Sequence, residues 1–170
     1  MDGARLCELL RNQVEVIASL TADIDDALGR LVLKEGEWTM LEVMCHLYDE
    51  EREDFRVRVV QTLMHPDLPL ASIDPEGWVV SRGYAQRAFG EMRELFFVER
   101  AQSILQLRQL GDAEWRTPLN HPRLCELTAE QVAWAWVAHD LLHIRQLTEL
   151  RYLLFQRQTT AYGYGYAGDW

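Results

Sequence analysis

The feature that most constrains this chain is an apolar repeat of 3.6 residues that returns in four long segments. The first sets Leu6, Leu10, Val14, Ile17, Thr21, Ile24, Leu28 and Leu31 at steps of three or four, which predicts a helix over 2–32, with Gly36 as its breaker. Thr39-Met40-Leu41-Glu42 reads as a capping box, in which hydroxyl and carboxylate each accept from an orphan amide. The helix it opens runs to Met64, ahead of His65-Pro66. A third helix is predicted over 83–110, with Ala85, Ala88, Phe89, Met92, Phe96, Ser103, Leu107 and Leu110 on one side and Gly111 closing it. Thr128-Ala129-Glu130-Gln131 repeats the capping pattern and opens a fourth helix, to about Gln156.

Residues 65–82 hold Pro66, Pro69, Pro75 and Gly77, a connection long enough to cross the end of a bundle. Residues 111–127 form a second irregular stretch, whereas the first connection reads as short. These segments predict an all-α four-helix bundle over 1–157, with a long crossover between helices 2 and 3. The remainder, 158–170, is a Tyr/Gly-rich tail expected to be a loosely ordered end rather than a lid. Ten glycines and five prolines in 170 residues are too few for a many-stranded fold rich in tight turns.

Charge narrows the partners. Lys and Arg number 17 against 27 Asp and Glu, a formal charge of −10, and such a surface repels nucleic acid and anionic lipid. No apolar stretch reaches the length that spans a bilayer. Met1-Asp2-Gly3-Ala4-Arg5 leads into no apolar signal region, and Cys7, Cys45 and Cys125 are an odd, widely spaced trio. Reduced, partly buried thiols in a cytoplasmic protein are therefore expected.

The chemistry concentrates in histidines. His65 and His121 both precede proline in irregular segments and are expected to be exposed. His139 and His143, at i and i+4, share a helix face with Val132, Ala135, Trp136, Leu142, Gln146, Leu150 and Leu154, so their rings are expected to point inward. His46 shares a stripe with Glu50, Glu53 and Val57, but the stronger apolar stripe of that helix lies roughly 100–140° away. Two readings stay open: a solvated His46–Glu50–Glu53 face, or an interior polar seam beside an opening in the bundle. Three imidazoles from two helices form a neutral set that leaves a coordination position for water or substrate. Such ligands suit Zn, Ni, Fe or Cu. Glu50, Glu53 and Asp49 are candidates for proton transfer, or else ion-pair partners of Arg52, Arg56 and Arg58. Cys45 adjoins His46, but neighbouring helix residues diverge by about 100°, which argues against a Cys–His nucleophile. No nucleophile elbow, P-loop or dinucleotide fingerprint is present.

Two blocks carry a family resemblance. Glu37-Trp38-Thr39-Met40-Leu41-Glu42-Val43-Met44-Cys45-His46-Leu47 is similar to the W-x-x-x-E-x-x-x-H-L opening of the DinB/YfiT-like superfamily. Leu127-Thr128 through His139-Asp140-Leu141-Leu142-His143-Ile144-Arg145-Gln146-Leu147 resembles its L-T…H-D-x-x-H-x-x-Q-L helix. The resemblance implies an up-up-down-down bundle and a divalent metal on His46, His139 and His143, Zn or Ni first, with Fe or Mn as alternatives. It also implies a small-molecule substrate. Known relatives include thiol S-transferases that use bacillithiol and a mycothiol-dependent isomerase. A metal-dependent thiol S-transferase using a low-molecular-weight thiol is thus the first expectation, with Glu50 in proton transfer or support of the ligands. A metal-dependent hydrolase is the near alternative. A non-catalytic, stress-related binding or assembly module that kept the bundle is another, as is an ion that merely clamps the helices. Trp134 and Leu141, opposite the histidine face, are candidates for a homodimer surface or for packing within the chain.

Overall fold

Asp2 accepts from the amides of Ala4 and Arg5 and so opens helix α1 (Gly3–Thr21). The computed structural model describes residues 2–168. The helix expected to run to residue 32 stops at Thr21, whose hydroxyl turns back to the Ile17 carbonyl. Asp25 then caps a separate turn, α2 (Asp26–Gly29), by accepting from the Leu28 amide. Side-chain bonds to the backbone have displaced the continuous helix, yet Ile24 remains buried, so the stripe persists without the helix. A side chain at Gly29 would collide with the Phe89 ring, which lets α2 press against the start of the third long helix.

The Thr39–Glu42 capping box forms as expected and opens α3 (Met40–Glu50). A π turn (Glu51–Phe55) joins α3 to α4 (Arg56–Met64), with the Arg56 amide bonded five residues back to Glu51. The three together make the second long helix of the bundle. The crossover is not wholly irregular: Asp74 caps α5 (Pro75–Ser81), with Pro75 in its first turn. The third long helix, α6 (Phe89–Gln109), starts later than expected. Gly83, at φ 59°, reverses the chain, and a 3-10 turn over Tyr84–Gln86 intervenes. The fourth, α7 (Ala129–Gln158), has the expected Thr128–Gln131 capping box. In the tail, Tyr164 packs on Phe155 and donates to the Thr159 carbonyl, while Tyr162 and Tyr166 are exposed.

Contacts fix the directions. Gln13 donates to the Val137 carbonyl and Arg151 pairs with Asp23, so α1 and α7 run parallel. Cys7 meets Ile104 and Thr21 meets Arg93, so α6 opposes α1. Glu51 meets Arg100 and Arg56 meets Ser103, so the second long helix runs with α6. In chain order the four long helices run up, down, down, up; round the ring α7, α1, α6 and α3–α4 point up, up, down, down. Helices 1 and 2 of the bundle are diagonal neighbours, as are 3 and 4. The first connection must therefore cross the bundle end and occupies 22–39, longer than expected. The crossover joins parallel neighbours and has to travel the length of the bundle. No helix among the described residues is long and apolar enough to cross a membrane.

The core has two halves. Ile17, Met44, Phe96 and Leu150 belong to one, and Leu10, Val59, Leu107 and Trp136 to the other. Between them lies a buried ionic layer centred on Arg100. Its guanidinium donates to both Glu51 oxygens (2.8 and 2.8 Å), to both Asp140 oxygens (2.6 and 3.0 Å) and to the Leu10 carbonyl (3.2 Å). All five N–H donors are used, and the Trp136 indole adds a sixth bond to the layer at Glu51.

Replacing Arg100 with Met leaves Glu51 and Asp140 buried without a cation. The expected loss is about 3–5 kcal/mol of unfolding free energy in chemical denaturation. An apolar replacement of all three residues together should recover most of it.

Candidate metal centre

His46 lies in the second turn of α3 and is buried among the rings of Trp38, His139 and His143, with α5 of the crossover lining the cavity beside it. Of the two open readings, the structure selects the interior seam. His139 and His143 sit differently from expectation. Val132, Trp136, Leu150 and Leu154 of the expected face are buried, but the buried side of α7 also takes in Ala133, Val137, Asp140 and Leu147, whereas Ala135 and Leu142 are exposed, Leu142 at 55%. The two rings are half-buried at the rim of that side, and face a gap in the bundle rather than its apolar centre.

The three rings converge. His46 Nε2 lies 3.2 Å from His139 Nε2, and His143 Nε2 lies 3.1 Å from His139 Nε2. All three nitrogens fall within 4.8 Å of one another. Tetrahedral ligands at zinc–nitrogen distance would be about 3.3 Å apart, so the set needs little adjustment to hold an ion. The proton count points the same way. His143 Nδ1 is 2.8 Å from the Gln146 side-chain oxygen and donates to it, which leaves Nε2 as a bare acceptor. A proton on His139 Nε2 could serve only one neighbour well, so lone pairs are left facing one another. A cation satisfies all three at once, and the residues present fit one. His46 Nδ1 is buried without a hydrogen-bond partner among the described residues.

Aromatic rings fix the imidazoles. Trp38 lies parallel to His143 at 6.3 Å and 4.7 Å from His46, and Phe55 lies 4.9 Å from His139. Burial pushes His46 down to about 3 and His139 down to about 2 from an ordinary 6.5, with neighbouring imidazoles adding to both; His143 is lowered by burial too. All three are neutral at pH 7, the form that binds metal.

His46 and His139 of the triad line a cavity of about 760 Å³. Its inner wall holds Trp38, Glu50 and Asp54, and its outer wall is Ile73, Asp74, Pro75, Glu76 and Val79 of the crossover. Glu50 is pushed up to about 8, by burial first and then by the charge and hydrogen bond of Asp54. The expected stripe through Glu53 is corrected by the π turn. The extra residue in that turn advances the register by one, so Asp54 follows Glu50 into the cavity. Glu53 turns away to Arg82 (2.6 Å) and Arg52, and Asp49 accepts from Tyr84 (2.8 Å) beside Arg82.

Other expectations change as well. His121 is buried rather than exposed, with Nε2 3.3 Å from the Ser72 hydroxyl and Nδ1 accepting from the Arg123 amide, because the 111–127 segment folds onto the crossover. His65 is exposed as expected. Cys7 and Cys45 are buried and unpaired, but Cys125 is exposed. Burial pushes the Cys45 thiol up to about 12, which removes it as a nucleophile.

The depressed histidines bind fewer protons folded than unfolded, so stability rises with pH across the window between their folded and ordinary values. Metal-free protein should hold its full triad contribution above about 6.5 and lose it as pH falls toward 3. In chelator, the denaturation midpoint between pH 4 and 7 should fall less steeply for His139→Gln than for the parent; equal slopes would contradict the burial argument.

The profile of the DinB superfamily matches residues 9–147. No curated protein matches the sequence significantly. Among solved structures the fold is similar to YfiT from Bacillus subtilis, described as "a probable metal-dependent hydrolase with an unusual four-helix bundle topology". The TM-score is 0.76 at 19% identity, over 93% of this chain and 87% of that one. With His46, His139 and His143 all inside the matched span, the chain belongs to the DinB superfamily.

Proposed function

We propose that the chain is a metal-dependent enzyme acting on a small molecule, with a divalent ion on His46, His139 and His143. The observation that carries this reading is the convergence of three neutral Nε2 atoms, those of His46 and His139 belonging to rings that line a cavity. A bound ion supplies a Lewis acid that lowers the pKa of a coordinated water or thiol toward neutrality. Neutral ligands leave the full ionic charge to act there, and Zn or Ni suits them first, then Fe or Mn. Glu50, lining the same cavity with its carboxyl raised to about 8, is mostly protonated at pH 7 and hydrogen-bonded to Asp54, so it holds a proton that it can give to the leaving group. Gln146 holds His143 in the tautomer that presents Nε2.

Hydrolysis is the first reaction class, supported by the description of YfiT. Transfer to a low-molecular-weight thiol is the second, supported by the resemblance of the histidine blocks. The exposed Trp134 (42%) and Leu141 (56%) support a homodimer through the outer face of α7. Unpaired cysteines support a cytoplasmic setting.

Protein purified without a polyhistidine tag should carry one divalent ion per chain by elemental analysis. His139→Ala should abolish binding with helical content unchanged, and Gln146→Ala should weaken it about 10–100-fold. Full metal occupancy in a variant lacking all three histidines would refute the assignment. Glu50→Gln should keep the metal while turnover of a hydrolysable reporter falls by roughly 10²–10⁴-fold; unchanged turnover would remove Glu50 from the chemistry.

A further inference from the structure

The cavity wall opposite the histidines belongs to the crossover, and it is acidic. Asp74 and Glu76 bracket the first turn of α5, while Glu50 and Asp54 lie deeper, beside the triad. Among the described residues no lysine or arginine lines the space. Asp54 is paired with Arg58 one turn along α4. Glu50, only 4% exposed, is in no ion pair among the described residues. The first turn of α5 offers nothing to an anion, because Asp74 already accepts from the Gly77 amide (3.2 Å) and lies close over that turn. Ile73, Pro75, Val79 and Trp38 form an apolar strip between the inner and outer acids. The converging Nε2 lone pairs of the three imidazoles, two of whose rings line the cavity, mark a ligand site independently of the carboxylates.

An anionic ligand would thus meet uncompensated carboxylates at the mouth and find no protein cation inside. A cationic one meets complementary charge. We propose that the cavity takes a small molecule with an amine or guanidine on a short apolar stem, its cationic end at Asp74 and Glu76 and its reacting group facing His46, His139 and His143. The reacting end rests on the metal-centre reading; the cationic end rests on the charge of the cavity alone. A thiol cosubstrate rich in carboxylates fits this space poorly.

The test uses three hydroxamic acids with the same metal-binding head and four-carbon stem, ending in ammonium, methyl or carboxylate. With zinc-loaded protein, calorimetry should rank them ammonium, methyl, carboxylate, with about tenfold between the extremes for two half-screened charges. The spread should shrink in Glu76→Gln, an exposed position, in Asp74→Asn, which keeps the cap, and with added salt. Equal affinities, or a preference for the carboxylate, would overturn the proposal. Loss of the metal reading has its own signature, no difference between zinc-loaded and metal-free protein for the methyl compound. In that event butylammonium against butyrate on metal-free protein decides the cationic end: tighter butylammonium supports it, and equal, reversed or absent binding overturns it.

Discussion

Arg100 spends every donor it has on the centre of the bundle. Two carboxylates from two other helices and a carbonyl from α1 receive its five N–H groups, so one side chain references all four long helices to one level. Apolar packing above and below could tolerate small slides along the helix axes, but a bidentate ion pair cannot. Asp140 is next to His139, and Glu51 begins the π turn whose last residue, Phe55, packs on His139. The height of the ionic layer therefore determines where the imidazoles of α3 and α7 meet.

The site depends on a second consequence of the same geometry. His139 and His143 lie at the edge of the buried side of α7, close enough to the protein to lose their charge but not sealed by it. Neutral rings with converging lone pairs are costly beside one another and favourable around a cation. The crossover completes the arrangement, since α5 lines the cavity beside His46 and furnishes the acidic outer wall. A short loop between antiparallel helices could not do this; only the return between two parallel helices passes over that side.

Much of this was legible in the sequence. Both capping boxes, the four helical segments of the bundle and the helices that carry His46, His139 and His143 follow from local patterns that tertiary contacts left alone. Arg100 had a signal too, since it occupies the apolar register between Phe96 and Ser103, as Glu51 does between Leu47 and Phe55 and Asp140 between Trp136 and Leu147. A charge in a core register on each of three helices is a reason to look for a buried cluster. The break after Thr21, the π turn and the burial of His121 had no comparable signal, because each is decided by a partner distant in the chain or by one side-chain hydrogen bond.

Sequence alone determined the helical class and the starts of the two helices that open on capping boxes, because caps and periodicity act over three or four residues. It left open whether His46 faces water, which acid follows Glu50 into the cavity, and how the helices are ordered round the ring. Tertiary structure decided those, for a physical reason: burial and charge pairing are properties of surfaces brought together from 50 to 100 residues apart. No window along the chain contains both sides of the contact.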